Sequence, residues 1–232
     1  MATFDDTETW IFDLDNTLYP GECNLFAQVD QKMSAFIQGY LNVPADYARH
    51  LQKSYYRQYG TTLAGMMAVH NMEPTEFLEF VHDIDLAPVD PHPELGAAIA
   101  ALPGRKLIFT AGSRRHAENV AGKLGVLDQF EDIMDIVDTD FVPKERIESY
   151  NRMLARHGVD PKTAAMFEDM PHNLVPAHGL GMTTVLVHSS YMDHPIQRQI
   201  AGWTKPPAHI HHMTNNLCSF LEAQVRALTK RV

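Results

Sequence analysis

The chain has 232 residues, 45% hydrophobic and 21% charged, with a formal net charge of −10. That is the make-up of a globular protein long enough to bury a full core, with or without an insert. The charge disfavours nucleic acid as a partner, because no Lys/Arg cluster offsets it. Two cysteines make no disulfide framework, no run reaches membrane-spanning length and residues 1–6 lack a secretory leader's basic and apolar regions, so a cytoplasmic protein with no membrane partner is expected.

The first apolar run, Trp10-Ile11-Phe12, ends in Asp13-Leu14-Asp15-Asn16-Thr17. In an extended segment residues two apart share a face, so both carboxylates would leave the strand end on one side. Two acids so placed are costly unless a cation sits between them, and an oxygen-only site suits magnesium better than zinc. An Asp-rich turn after a strand is the plainer reading of the same residues.

Residues 20–103 read as helices. Leu25, Phe26, Val29, Met33, Phe36, Ile37, Tyr40 and Leu41 recur at steps of three and four, which predicts one buried helical face. A second helix follows Pro44, a third covers 63–69, and Pro74 opens a fourth carrying Phe77, Phe80 and Val81. Pro88, Pro91 and Pro93 then stop helix formation and mark a hinge where the chain returns from an inserted helical unit.

Strands and helices alternate from there. Lys106-Leu107-Ile108-Phe109-Thr110 predicts a strand, and Ser113 caps a helix running to about Leu124. Residues 130–137 predict a strand, 145–157 a helix, and Ala164-Ala165-Met166-Phe167 a strand. Pro171 opens a helix that Gly179 and Gly181 end; 183–187 reads as a strand, 208–210 as an edge strand and 215–228 as a closing helix. Repeated units with fully apolar strands imply an α/β class: a doubly wound, Rossmann-like parallel sheet covered on both faces.

Ligands of such sheets bind beyond the carboxyl ends of the strands, so chemistry-bearing residues should stand there. The first strand ends in Asp13 and Asp15, the next in Thr110, and Ala164-Phe167 runs into Glu168-Asp169, while Lys144 lies just before a helix in the unit between. Several acids, one hydroxyl and one lysine would converge on one crevice, which suits phosphoryl transfer: magnesium, a lysine and helix N-terminal amides can hold a phosphate together. One carboxylate beside the metal can attack phosphorus, and the other can move a proton. Thr110, with the amides of Ala111 and Gly112 ahead of the helix capped by Ser113, forms a phosphate cradle.

The set Asp13-Leu14-Asp15-Asn16-Thr17, Thr110, Lys144 and Glu168-Asp169 resembles the four motifs of the haloacid dehalogenase-like hydrolase superfamily. The resemblance implies a Mg2+-dependent phosphatase with an aspartyl-phosphate intermediate: Asp13 the nucleophile, Asp15 the general acid/base, Thr110 and Lys144 holding the phosphate. It also implies magnesium on Asp13, the backbone carbonyl of Asp15 and Asp169, with Glu168 acting through water. An acid at position 15 departs from the dehalogenase branch, which looks to lack one two residues after its nucleophile.

Tyr59-Gly60-Thr61-Thr62-Leu63-Ala64-Gly65, Leu102-Pro103-Gly104-Arg105-Lys106, Tyr150 six residues after Lys144, and Asn173 in the run after Glu168-Asp169 resemble the pyrimidine 5′-nucleotidase subfamily. That likeness implies a helical cap inserted after the first strand, residues 20–93, over a core of 1–19 and 94–232. It implies a small phosphorylated metabolite as substrate, a pyrimidine nucleoside 5′-monophosphate. A sugar phosphate or phosphoglycolate, or a catalytically retired regulator that binds phosphometabolites, are the other readings. Ala111-Gly112-Ser113 departs from the subfamily, which resembles Thr-Asn-Gly-Asp in this loop, as does Glu145 where proline is usual.

His209-Ile210-His211-His212 has no acid or cysteine at ligand spacing, so no metal is expected there. Cys23 lies near the mouth of the crevice with nothing close by to activate it. Tyr55, Tyr56 and Tyr59 either stack on a substrate base or pack between helices.

Overall fold

A computed structural model describes residues 3–190 and 195–230. β1 (Thr9–Phe12) leads into four helices, α1 (Leu25–Leu41), α2 (Ala45–Tyr59), α3 (Thr62–His70) and α4 (Pro74–His82). There follow α5 (Pro93–Ala100), β2 (Arg105–Phe109), α6 (Arg114–Leu124), β3 (Asp132–Met134), α7 (Ile147–His157) and β4 (Ala164–Glu168). The chain closes with α8 (Leu174–Leu180), β5 (Thr183–Val187), α9 (Pro195–Ala201), β6 (His212–Thr214) and α10 (Leu217–Thr229).

The strands form one sheet in the order β3-β2-β1-β4-β5-β6, every pair parallel, which is the predicted doubly wound α/β architecture. β1 is apolar throughout its middle because it lies inside the sheet with both faces covered. Trp10 and Phe12 join Leu95 of α5, Ala117 of α6 and Leu221 of α10, while Ile11 joins Met153 of α7 and Leu174 of α8 on the other face. Phe12 stacks on Phe167 with centroids 4.6 Å apart, and a buried phenylalanine of this kind is worth about 3–5 kcal/mol relative to alanine. From β1 the chain builds β2 and β3 on one side, then β4, β5 and β6 on the other. The order therefore reverses beside β1 and opens a crevice at the strand ends there.

Helices α1–α4 share an apolar cluster of their own, including Val29, Ile37, Ala48, Met66, Phe77 and Val81, joined by Ile136 from the loop after β3. The resemblance motif around Tyr59 has a mechanical basis. Gly60 ends α2 at φ +84°, and a Cβ there would lie 2.8 Å from Pro143 Cβ, so only glycine lets the helical unit close on the Pro143 loop. Thr61 then caps α3 by accepting the Ala64 N–H at 3.0 Å. Among the described residues no helix is long and apolar enough to cross a membrane.

Several predicted elements shift. The strand expected over 130–137 stops at Met134, because the Asp135 carboxylate accepts the Asp138 and Arg114 N–H groups and turns the chain. The helix expected from 145 starts at Ile147, after a turn in which Arg146 N–H donates to Pro143 O. The edge strand lies at His212–Thr214 rather than 208–210, since Thr184 Oγ1 donates to His209 O and holds that segment off the ladder. Gly179 sits inside α8, which Gly181 alone ends. Tyr40 is exposed rather than on the buried face of α1. Pro93, read as a helix stop, instead opens α5 inside the stretch 20–103, and α9, also opened by a proline, falls where no element is expected.

Candidate active site

β1 ends at Phe12, which pairs with Ile108 and Phe167, so Asp13 stands level with Phe109 and Glu168. The Asp13 N–H still donates to Phe167 O at 2.9 Å, which continues the ladder by one bond and fixes this residue. The chain then turns, with the Thr17 and Leu18 N–H groups donating to Leu14 O. That turn gives the two acids separate partners rather than one shared strand face. Both nevertheless line the same cleft, of about 890 Å³, which opens between the sheet edge and α1, α2 and α4.

Asp13 is buried and accepts from Thr17 Oγ1 at 3.0 Å and from Lys144 Nζ. Lys144, itself buried, also donates to Glu168 Oε2 at 2.7 Å and Phe109 O at 3.2 Å. Asp169, next to Glu168, accepts from Asn16 Nδ2 at 3.4 Å. Tyr150, six residues on from Lys144, donates its buried hydroxyl to Asn173 O at 2.8 Å. It thereby ties the helix after Lys144 to the loop after Asp169.

One carboxylate oxygen each from Asp13, Glu168 and Asp169 lies within 4.8 Å of the others. Three acids against one ammonium leave this buried group short of positive charge. Burial and the Glu168 carboxylate push Asp13 up to about 7 and raise Asp169 well above the carboxylate range. Burial opposes the ionised forms of Glu168 and Lys144 too, yet the ammonium holds Glu168 low, and Asp13 and Glu168 hold Lys144 well above the usual ammonium range. The donor set is all oxygen, hard and anionic, which fits magnesium and offers zinc no nitrogen or sulfur.

Asp15 is held differently. Its Oδ1 accepts from Tyr19 Oη at 2.6 Å and from His116 Nε2 at 2.9 Å. Burial alone would raise it, but the charge on His116 outweighs that and brings its carboxyl down to about 2. His116, resisted by burial, is raised by Asp15, whereas burial and then His116 push His82 down to about 3. A place for Asp15 beside a metal would fall to its backbone carbonyl, because its side chain is engaged with Tyr19 and His116.

In the loop after β2, expected to cradle a phosphate, Thr110 Oγ1 accepts the Gly112 N–H at 2.9 Å, so that amide is already engaged, while Ala111 and Gly112 line the cleft. Ser113 caps α6 as expected, accepting the His116 N–H at 3.3 Å. Of Tyr55, Tyr56 and Tyr59 only Tyr56 lines the cleft, its hydroxyl 3.4 Å from His172 Nε2. Tyr55 is buried in the helical cluster and bonds His70 at 2.7 Å, and Tyr59 meets it edge to face. His211 Nδ1 accepts the Thr184 N–H at 3.1 Å and His212 lies against Phe4, so these two histidines bond and pack within the protein. Burial pushes the Cys23 thiol up.

Sequence reading missed Thr17 and Tyr19 as partners of the acids and passed over His82 and His116. The first two carry a usable signal, each four residues after the acid that it bonds.

A family model described as haloacid dehalogenase-like hydrolase matches residues 7–181. Phosphate metabolism protein 8 of Saccharomyces cerevisiae is 25% identical over 197 residues, 77% of this chain, and the match spans only 61% of that protein's length. A HAD phosphatase from Thermococcus onnurineus superposes with a TM-score of 0.60 at 17% identity, over 94% of this chain and 97% of that one. L-2-haloacid dehalogenase from Xanthobacter autotrophicus does so at 0.57 and 15% identity, over 96% and 99%. These structural likenesses are of fold alone, and because they include a phosphatase and a dehalogenase they do not choose between the two chemistries.

Proposed function

This chain belongs to the haloacid dehalogenase-like hydrolases, and we propose that it is a magnesium-dependent phosphomonoesterase acting through an aspartyl-phosphate. The observation that carries the reading is the buried group at the sheet edge, Lys144 between Asp13 and Glu168 with Asp169 beside them, next to a separately held Asp15. An acid at position 15 supports the phosphatase over the dehalogenase, because a phosphoester's leaving oxygen needs a proton and a departing halide does not. The name of the yeast relative, a phosphate metabolism protein, agrees with that choice.

In the proposed reaction the negative charge of the entering phosphoester opposes the ionised form of Asp15, which takes up a proton from water; an Asp13 oxygen attacks phosphorus, the ester P–O bond breaks, and Asp15 gives that proton to the leaving oxygen. Water then attacks the aspartyl-phosphate as Asp15 takes its proton back, releasing inorganic phosphate and freeing Asp13. Lys144 and Thr110 hold the phosphoryl oxygens through this exchange. Asp13, Glu168, Asp169 and the carbonyl of Asp15 would hold the magnesium ion, which when bound supplies the positive charge that the acids and the phosphate need.

Helices α1–α4 serve as a cap, residues 20–93, over a core of 1–19 and 94–232. A cleft of about 890 Å³ lined from both sides suits a metabolite of nucleotide size. With the motif likeness around Gly60, Tyr150 and Asn173, this makes a pyrimidine nucleoside 5′-monophosphate the substrate that we propose. Phosphate release from UMP and CMP should exceed that from purine nucleotides, sugar phosphates and phosphoglycolate, and EDTA should abolish it. Preference for a sugar phosphate would move the substrate assignment. No hydrolysis of any ester in the presence of magnesium would make the protein a binding regulator instead.

A further inference from the structure

We propose that His116 is a positioning residue for Asp15, and that His82, carried by the helical unit, completes its hold from across the cleft. The proposal rests on the phosphomonoesterase reading above.

Both donors to Asp15, Tyr19 Oη at 2.6 Å and His116 Nε2 at 2.9 Å, share Oδ1. Two donors converging on one oxygen fix the orientation of the carboxyl group and leave Oδ2 as the oxygen that can meet a leaving group. A carboxyl held this way meets the leaving oxygen without first searching rotamers; the two donors also favour its ionised form, so the gain is one of position and not of acidity. His116 is itself buried and well anchored, because its N–H donates to Ser113 Oγ at the start of α6.

His82 is the last residue of α4 and belongs to the other unit. Its ring lies flat on that of His116, centroids 4.4 Å apart and planes within 15°. Its Nδ1 shares a hydrogen bond of 3.0 Å with Ser113 Oγ, so His82 touches both the ring that holds Asp15 and the cap of the helix that carries that ring. Gly112 makes room for the pair: a Cβ there would stand 3.0 Å from His116 Cδ2 and 3.5 Å from His82 Nε2. Gly112 agrees with the subfamily's pattern, and of the two departures in this loop the shorter side chain of Ser113 is the one whose hydroxyl meets His82. Because the rings come from opposite sides of the cleft, seating of the helical unit and fixing of Asp15 become one event.

The test compares two leaving groups. An alkyl phosphomonoester needs a proton from Asp15 as its bond breaks, whereas p-nitrophenolate leaves without one. In His116→Ala, turnover of the alkyl ester should fall about 10²-fold with KM unchanged, while first-turnover release of p-nitrophenol falls less than about threefold. His116→Gln, which keeps a donor at the same reach, should recover most of the loss. His82→Ala should slow the alkyl ester about tenfold in an otherwise intact protein and add nothing to His116→Ala, since coupled residues do not add. Equal losses on both esters, no loss on either, or no recovery with Gln would overturn the role of His116. Fully additive losses would overturn that of His82. A wild-type protein inactive on both esters would instead remove the phosphomonoesterase reading, and this proposal with it.

Discussion

At the sheet edge Lys144 is buried between Asp13 and Glu168, whereas in the helical unit Asp30 meets Arg49 and Lys53, whose side chains are 55% and 46% exposed. Both are clusters of opposite charge lining one cleft, yet their physics differs. The buried group has lost its water and depends on every partner, so it is held by strand ends, by Thr17, and by the Tyr150 tie to Asn173. The exposed one keeps much of its water and can be rearranged cheaply. The first kind of site can hold reacting atoms in fixed positions, and the second can adjust to what enters the cleft.

Replacing Asp13, the proposed nucleophile, gives the largest effect that this contrast predicts. Asp13→Asn should lower kcat on the order of 10⁴-fold or more in a phosphate-release assay, with the fold kept. Next in size, Lys144→Met strips a buried pair of its cation and should cost about 3–5 kcal/mol in urea unfolding, against less than about 1 kcal/mol for Lys53→Met. Similar costs for the two lysines would break the comparison.

The smallest effect is one of pH. Burial opposes ionisation of Asp30, but Lys53 and Arg49 hold its carboxyl below the ordinary value of 3.8. A depressed acid stabilises the fold above its unfolded value, and that contribution fades as pH falls through the folded one. The urea midpoint of wild type should therefore drop slightly more on acidification than that of Asp30→Asn. A steeper drop in the variant would reverse the sign of the argument.

Much of the sheet edge was legible because of burial. Strands covered on both faces must be apolar, so Asp13, Thr110 and Glu168-Asp169 stand out where each run ends, and Lys144 is drawn in as their counter-charge. Partners across the cleft were not legible. His82 and His116 lie 34 positions apart in the chain, and nothing in their neighbours says that the end of α4 comes to rest on the start of α6. The misplaced β3 and β6 share a cause, since Asp135 and Thr184 bond backbone through their side chains and override apolar pattern.

The proposed chemistry requires that Asp13 be phosphorylated during turnover. Quenching the protein with acid during hydrolysis of p-nitrophenyl phosphate, followed by peptide mass spectrometry, tests it most directly. Phosphate should be found on Asp13, and none on Asp13→Asn protein treated in the same way. Active protein that carries no phosphate when quenched under conditions that trap a slow intermediate, or that carries it on another residue, would contradict the claim.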